Sequence, residues 1–286
     1  MKKCIKAYNN MKVLVTGANG YIGRHVVETL LNKGCEVIAC DINTDEVDSR
    51  ATCLQFNLFD LPQGNIYELL GAPDVCLHMA WRNGFVHNSS SHMGDLSAHY
   101  NFMTAMIDGG LKQLAVMGTM HEVGYWEGAI DENTPCNPTS MYGIAKDALR
   151  RAMFQYTKPN QCLLQWLRCY YILGDDEKNN SIFCKILLAA KEGKKSFPFT
   201  SGKNKYDFIK VDDLAVIISK VILQTNIYGI INCCTGKPIS LAEQVQSFIN
   251  DKQLDIKLEY GVYPDREYDS PCIYGDVSKL QGIVQL

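Results

Sequence analysis

Undivided apolar runs alternate with segments of helical periodicity along the first half of the chain. The runs KVLVTG, EVIACD, CLQFNL, DVCLHMAW and LAVMGT predict strands, and GRHVVETLLNKG and GDLSAHYNFMTAMIDGG predict helices between them. Strands that are apolar throughout are typical of a parallel sheet covered by helices on both faces. The pattern therefore predicts an α/β fold built on a doubly wound parallel sheet.

The pattern changes after Gly174. Just before it, LLQWLRCYYILG predicts one more strand; after it come a polar loop, the helix SIFCKILLAAKEG, short strands and turns, and the helix SLAEQVQSFIN. We predict a first domain over residues 11–174 and a smaller α/β region over residues 175–286, interleaved with the first. Ligands of open α/β sheets bind at the carboxyl ends of the strands, so the second region is expected to pack there and bind the substrate.

Composition narrows the class of partner. The 286 residues carry a formal net charge of -3, which gives no electrostatic reason to expect a nucleic acid or an anionic membrane. The apolar stretch LAVIISKVIL is short and interrupted by Lys220, so no membrane span is predicted. The 12 cysteines form no C-x-x-C pair, which favours buried free thiols in a reducing, cytoplasmic location over disulfides or a zinc site.

Three histidines follow the fourth predicted strand. His87, His92 and His99 are separated by five and seven positions, which matches neither a helical zinc pair nor a zinc finger. We therefore expect them to lie in a solvated loop, and no metal site is predicted.

The first predicted strand runs directly into TGANGYIG, in which Gly17, Gly20 and Gly23 recur at intervals of three. Glycines between a strand and a helix let the backbone approach a pyrophosphate, and the helix N-terminus supplies N–H donors. We expect Tyr21 and Ile22, in the first helical turn, to contribute to this site. The context favours a Rossmann-type dinucleotide site over a tight turn without a ligand.

The second predicted strand ends at Asp41, 24 positions after Gly17. A carboxylate there accepts hydrogen bonds from the adenosine ribose hydroxyls and repels a 2′-phosphate. This favours NAD(H) over NADP(H), with Ile42 beside the same ribose. The alternative is that Asp41 caps the following turn, DINTDE.

Tyr142 and Lys146 share one face of a predicted helix, because residues four apart are neighbours on a helix. A tyrosine hydroxyl has an unperturbed pKa of about 10, and a nearby ammonium lowers it by favouring the phenolate. The pair is then usable for general acid–base chemistry. Thr119 ends the strand LAVMGT, so its hydroxyl is expected to meet the pair at the carboxyl edge of the sheet, beside a nicotinamide.

With these motifs in this order, the chain resembles the extended short-chain dehydrogenase/reductase family, over nearly its whole length. HMAW is similar to the H-L-A-A of that family, LRCYYILG to L-R-x-x-N-V-Y-G, and YDFIKVDDLA to R-D-F-I-Y-V-D-D-V-A. The resemblance implies that Tyr142 is the acid/base, that Lys146 lowers its pKa and holds the nicotinamide ribose, and that Thr119 orients the reacting oxygen. It also implies further cofactor contacts at Asn57, Leu58, Met79 and Ala80, although the family usually has Asp at the first of these.

Departures from the family pattern limit the reaction. Dehydratases of the family have an Asp–Glu pair after the threonine, where this chain has Met120 and His121; Glu122 comes one position later and would point differently. A dehydratase is therefore disfavoured. Tyr171 and Tyr206 replace an Asn and an Arg of the family, which indicates an altered pocket. The residues expected to bind the substrate are Trp81, His121, Asn180, Lys205 and Arg266.

The resemblance implies an NAD(H)-dependent enzyme that reduces a 4-keto-6-deoxy nucleotide-diphosphate sugar at C4, as in the formation of dTDP-fucose. The alternative is a nucleotide-sugar C4 epimerase that retains its NAD. A third hypothesis is a catalytically silent NAD-binding sensor or scaffold, which the presence of both Tyr142 and Lys146 disfavours. No nucleic-acid or membrane partner is expected, and a homodimer is left open.

Overall fold

The computed structural model describes residues 11–174, 181–265 and 269–285. The strands, numbered along the chain, are β1 Lys12–Thr16, β2 Glu36–Asp41, β3 Thr52–Gln55, β4 Val75–His78, β5 Gln113–Thr119, β6 Gly128–Ile130, β7 Leu163–Cys169, β8 Tyr171–Leu173, β9 Ser196–Pro198, β10 Lys205–Lys210, β11 Gly229–Cys233, β12 Pro238–Ser240, β13 Lys257–Glu259 and β14 Cys272–Gly275. The helices are α1 Tyr21–Asn32, α2 Ile66–Leu69, α3 Ser91–Gly94, α4 Leu96–Gly109, α5 Met141–Thr157, α6 Ile182–Lys191, α7 Val211–Ile222, α8 Leu241–Asp251 and α9 Ser278–Gln285. A single 3-10 turn, Met120–Glu122, follows β5 directly.

Seven parallel strands form the main sheet, in the order β11-β7-β5-β4-β1-β2-β3. The order reverses direction between β1 and β4, which is where a doubly wound sheet opens a crevice for a ligand. The predicted Rossmann-type fold class is confirmed.

A second, five-stranded sheet has the order β12-β10-β14-β6, with β8 paired to β10. The stretch LLQWLRCYYILG, predicted as one strand, is therefore two. Its first half is β7 of the main sheet and its second half is β8, and the chain crosses between the sheets at Tyr170. An unbroken apolar run carries no mark of this crossing, because both halves are strands.

The predicted boundary at residue 174 marks a change in sequence pattern, but elements on both sides of it build the first domain. The later part of the chain supplies β11, the edge strand of the main sheet, and α7, which packs against α1. The apolar stretch LAVIISKVIL belongs to α7, whose buried face includes Leu214, Ile218 and Val221. Within the described residues, no helix combines the length and the apolar character needed to span a bilayer.

The two faces of the main sheet carry separate cores. Val13 and Val15 of β1 face one core and Leu14 faces the other, as the alternation of side chains along a strand requires. A third apolar cluster, with Phe183 and Phe208 among its members, fills the space beneath the second sheet. The two sheets thus meet at the carboxyl edge of the main sheet, where β7 passes into β8.

Candidate active site

The glycine loop after β1 is packed too tightly for side chains. Gly17 has a φ of +70°, and a Cβ on it would lie 2.7 Å from the amide nitrogen of Ala80. A Cβ on Gly23 would lie 2.1 Å from the Gly17 carbonyl oxygen. These contacts hold the start of α1 against the ends of β1 and β4, so the crevice is walled by backbone.

Helix α1 begins at Tyr21 and is suited to an anion. Its N-cap is Gly20, which makes no side-chain cap, and its first turn carries no acidic residue. Neither a capping side chain nor an acidic side chain therefore competes for the N–H groups of the first turn. The helix dipole adds positive potential at this end. The arrangement fits a dinucleotide pyrophosphate.

Asp41 lies at the end of β2 and is fastened to the glycine loop. Its Oδ2 accepts a hydrogen bond from the Asn19 amide at 3.0 Å, and its Oδ1 accepts one from the Ile42 amide at 2.7 Å. The following turn is closed by Asn43, whose Oδ1 accepts from the Asp45 amide at 2.7 Å. Asp41 is therefore not needed as the cap of that turn, and Ile42 is 76% exposed beside it.

The other predicted cofactor residues follow neighbouring strands at the same edge. Asn57 is exposed and Leu58 buried just after β3. Met79 and Ala80 follow β4, and their amides donate to the Thr16 hydroxyl oxygen at 3.2 and 3.3 Å.

The structure brings Thr119, Tyr142 and Lys146 together. Helix α5 is capped by the Ser140 hydroxyl, which accepts from the Gly143 amide at 3.2 Å, so Tyr142 lies in its first turn. The Tyr142 hydroxyl lies beside Thr119 at the end of β5, close enough for Thr119 to favour the ionised form of the phenol. One turn further along, the Lys146 ammonium donates to the Met117 carbonyl oxygen at 2.7 Å.

The pKa values of Tyr142 and Lys146 differ from those expected from the sequence. Burial raises the pKa of Tyr142, and the influence of Thr119 opposes this only in part. Burial lowers the pKa of Lys146 to about 7. The expected lowering of the tyrosine pKa by Lys146 is wrong for this arrangement, because desolvation dominates and the ammonium is directed to Met117 and to the Trp81 ring, 3.8 Å from its centroid.

A cluster of aromatic side chains surrounds the Tyr142 ring. The His87 ring is stacked on it with centroids 5.7 Å apart, and the His92, His121 and Trp81 rings lie at 5.3, 6.1 and 6.2 Å. The backbone joins the cluster as well, since the Tyr142 amide donates to the His87 carbonyl oxygen at 2.8 Å.

The expectation of solvated histidines is therefore wrong for two of the three. His92 and His99 are each 1% exposed, and His87 is half-buried. Helices α3 and α4 fold their histidines back onto the end of β4. There the Thr16 hydroxyl lies 2.9 Å from His78 Nδ1, and His78 Nε2 lies 2.9 Å from His99 Nδ1.

Glu122 lies on the inner side of Thr119 and is fully buried. Its Oε1 accepts hydrogen bonds from the Thr119 amide and from Trp166 Nε1, each at 2.8 Å. Its Oε2 lies 3.5 Å from Arg150 Nε and 3.7 Å from Arg168 Nη2. The carboxylate thus points into the core, as its offset from the family position suggested, and it is committed to fixing Thr119.

The predicted substrate residues are divided. Trp81 and His121 lie in the ring cluster at Tyr142. Lys205 is exposed at the first residue of β10, and the described contacts of Tyr142 do not include it. Asn180 and Arg266 lie outside the described residues. Tyr171 and Tyr206 pack against each other in the second sheet, with ring centroids 4.3 Å apart and an interplanar angle of 36°.

Sequence reasoning missed the ring contacts of His87 and His92 and the buried partners of Glu122. The available signal for the histidines was their position in the segment after β4, which returns to the carboxyl edge. Arg150 carried a signal too, since it follows Lys146 by one helical turn and so shares its face.

A glycine-walled crevice beside a tyrosine, a lysine and a strand-end hydroxyl can place a carbon–oxygen bond next to a hydride carrier and a proton donor. Such a site defines an NAD(P)-dependent oxidoreductase on a Rossmann-type sheet. The model of the NAD dependent epimerase/dehydratase family matches residues 13–234, and the chain belongs to this family. The family is NAD dependent, which confirms the expectation of NAD as the cofactor.

Comparison with known proteins adds one near relative and several structural neighbours. The dTDP-6-deoxy-L-talose 4-dehydrogenase (NAD(+)) of Aggregatibacter actinomycetemcomitans is 47% identical over 269 residues, covering 93% of this chain and 99% of that protein. A UDP-N-acetylglucosamine 4-epimerase from Methanobrevibacter ruminantium superposes with a TM-score of 0.83 at 19% identity, covering 96% and 92% of the two chains. A UDP-glucuronic acid 4-epimerase from Bacillus cereus, in complex with UDP-glucuronic acid and NAD, gives a TM-score of 0.79 at 20% identity, covering 96% and 93%. The structural neighbours support the fold.

Proposed function

We propose that the protein interconverts a C4 ketone and a C4 alcohol on a 6-deoxy sugar carried by a nucleoside diphosphate, with NAD(H) as cofactor. NADH, when bound, supplies the hydride for the carbonyl carbon. Tyr142 gives its hydroxyl proton to the carbonyl oxygen, so that a C=O double bond becomes an alcohol and the phenolate takes a proton from water. Thr119 orients that oxygen, and Lys146 holds the cofactor ribose.

The observation that carries this proposal is the placement of the Tyr142 hydroxyl beside Thr119 at the end of β5. Two hydroxyls converging on one point can bind one substrate oxygen. The raised pKa of Tyr142 keeps its proton in place at neutral pH, which suits a proton donor and therefore the direction of reduction. The fully buried Glu122 is not available to abstract a proton from a sugar carbon, which argues against a dehydratase.

The nucleotide end of the substrate is assigned to a groove of about 820 Å³ between α6 and β9. Ile182, Phe197 and Tyr263 line it, and Lys185 adds positive charge, whereas Lys194 is paired with Glu192 at 2.8 Å. Asn180 and Arg266, which the sequence predicts to contact the diphosphate, are each two positions along the chain from a lining residue, Ile182 and Pro264 respectively.

The sugar is proposed to be 6-deoxy-L-talose, carried by dTDP, in place of the fucose configuration implied by the family resemblance. The support is the 47% identical relative, which acts on dTDP-6-deoxy-L-talose and is aligned over 99% of its length. Its name describes the oxidation; reduction of the 4-keto sugar is the same reaction in reverse.

The decisive experiment supplies the enzyme with dTDP-6-deoxy-L-talose and NAD and follows NADH at 340 nm, with dTDP-fucose as the matched alternative alcohol. We expect NADH to form with the talose derivative and a 4-keto sugar to be identified by NMR. Turnover of dTDP-fucose alone would overturn the assigned configuration. In a separate reaction with UDP-glucose and no added cofactor, interconversion of C4 epimers with NAD retained on the enzyme would favour the epimerase.

Cofactor choice gives a second test. Asp41→Ser removes the carboxylate that is placed for the ribose hydroxyls, so we expect NADH to bind about 10-fold more weakly and NADPH to be used better than by the wild type. The ratio of kcat/KM for the two cofactors measures this. A wild-type enzyme that already prefers NADPH would contradict the assigned role of Asp41.

A further inference from the structure

Trp81 stands where the resembled motif H-L-A-A has its last alanine, and its indole makes contacts that an alanine could not. The Lys146 ammonium lies 3.8 Å from the indole centroid. The His99 ring is stacked on the indole at 4.4 Å with an interplanar angle of 13°, and the indole Nε1 donates to His92 Nδ1 at 3.0 Å. One side chain therefore joins α3, α4 and α5 at the catalytic edge.

These contacts fix the plane of the indole. His92 and His99 are each 1% exposed, so their rings are held by packing. The other ring nitrogen of His92 lies 3.0 Å from the Val86 carbonyl oxygen, and His99 is joined to His78 at 2.9 Å. With one hydrogen bond at its edge and one stacked face, the indole has little freedom to rotate.

Lys146 needs such a partner. It is 2% exposed, and an ammonium in that position must replace its hydration shell with protein groups. The Lys146 ammonium donates one hydrogen bond to the Met117 carbonyl oxygen at 2.7 Å. A tryptophan face within about 6 Å is the strongest aromatic partner for a cation, and the interaction grows when water is excluded.

We propose that Trp81 is a positioning residue, which holds the Lys146 ammonium against the catalytic edge through a cation–π contact while His92 and His99 fix the indole plane. This role rests on the proposed function of Lys146. The structure thus gives Trp81 a task in organising the lysine, beside the substrate contact expected from sequence. Burial lowers the pKa of Lys146 to about 7, and the indole face favours the charged form that the lysine needs.

The contact itself can be tested by NMR on the whole enzyme labelled with lysine that carries ¹³C at Cε, with K146M used to assign the signal. A methylene next to a cation over an indole face is shifted upfield by the ring current. We expect the Lys146 signal to be upfield in the wild type, partly shifted in W81F, and in the ordinary lysine range in W81L. W126F, which alters a tryptophan hydrogen-bonded to the Ala129 carbonyl oxygen, is the matched control and should leave the signal unchanged.

A Lys146 signal that stays in place in W81F and W81L would overturn the proposal. W81F retains an aromatic face, so it keeps the test decisive if W81L does not fold. No sugar is present in this experiment, and failure of the proposed reaction would leave its outcome unaltered.

The consequence for the cofactor is tested by a double-mutant cycle on NADH binding, followed by fluorescence titration. From the size of cation–π interactions we expect W81L to weaken NADH binding about 2- to 30-fold. Because Trp81 acts through Lys146, W81L should add nothing in the K146M background. Effects that multiply in the double mutant would show that Trp81 acts independently and would overturn the proposal. Asp41→Ser serves as the control partner, and its effect is expected to multiply with that of W81L.

Discussion

Two regions flank the Thr119–Tyr142 pair, and they are built in opposite ways. On the inner side, Glu122 forms ion pairs with Arg150 and Arg168 and is fully buried. On the outer side lie rings from Trp81 and several histidines, and burial lowers the pKa of His78, His99 and His121. The inner region is built from ion pairs and is sealed, whereas the outer one is built from rings and, at His87 and His121, is half-open to solvent.

The difference indicates that the two regions have different roles in the site. A carboxylate that accepts the Thr119 amide and the Trp166 indole proton fixes a backbone position, and charge inside the core makes that position costly to move. The rings instead shape the surface beside Tyr142. The inner region fixes the position of Thr119, and the outer region lines the space beside the Tyr142 hydroxyl in which a substrate would react.

The largest expected effect comes from the residue between the two regions. Tyr142→Phe keeps the ring and its packing against His87 but removes the transferable proton. General acid–base groups contribute about 10²–10⁴-fold, so we expect turnover to fall by that order while NADH affinity is largely kept. Steady-state kinetics and NADH titration measure the two quantities. Turnover near the wild-type level would remove Tyr142 from the mechanism.

The next effect breaks the inner region alone. Glu122→Gln leaves the fully buried Arg168 guanidinium without its carboxylate, whereas Arg150 keeps Asp147 at 2.5 Å. Breaking a buried ion pair in this way costs about 3–5 kcal/mol. We expect the free energy of unfolding in urea to fall by several kcal/mol. Glu127→Gln, at an exposed glutamate five positions later, is the control and should change stability by less than about 0.5 kcal/mol. Equal effects of the two substitutions would contradict the assigned role of Glu122.

The smallest effect belongs to the outer region and depends on pH. Burial, followed by the influence of His87, lowers the pKa of His121 from 6.5 to about 4. Between these two values the unfolded chain binds a proton that the folded chain does not, so stability falls as the pH is lowered from 6.5 towards 4. One such group changes the slope by at most about 1.4 kcal/mol per pH unit, and the half-buried position of His121 reduces this.

His121→Gln is expected to flatten that part of the profile, as measured by urea unfolding at several pH values. The wild type measured at pH 7 and above provides the reference, because His121 is neutral there in both states. A profile of unchanged slope in the variant would show that His121 is not held neutral by the fold.

The sequence foretold the parts of the site that are local in the chain. Each of these parts lies within a single strand–turn–helix unit, where a short sequence motif fixes the local geometry. They are the glycines of TGANGYIG, the carboxylate of Asp41 and the spacing of Tyr142 and Lys146. The crossing at Tyr170 left no trace, because β7 and β8 read as one apolar run. The fate of His92 and His99 depended on α3 and α4 folding back over β4, which is a tertiary event without a local pattern.

The sequence also could not predict whether burial and neighbouring charges would raise or lower the pKa values of Tyr142 and Lys146. Four-residue spacing placed Lys146 near Tyr142 correctly, but the sign of a pKa shift depends on which term is larger, and burial depth is set by the whole fold. Glu122 illustrates the same limit: its one-position offset told us that it would point elsewhere, and only the packing told us that it would meet Arg168.

The contacts at the end of β1 have a consequence for where protons sit. The Thr16 oxygen already accepts from the amides of Met79 and Ala80, so its own proton goes to Nδ1 of His78. His78 must then carry its hydrogen on Nε2 and give it to Nδ1 of His99. Both imidazoles are thereby locked in the Nε2–H tautomer, in a relay with a single direction. A valine at position 16 would match the threonine in shape but has no hydroxyl to donate to His78. The tautomer of His99, which stacks on Trp81, is therefore set by Thr16, the last residue of β1.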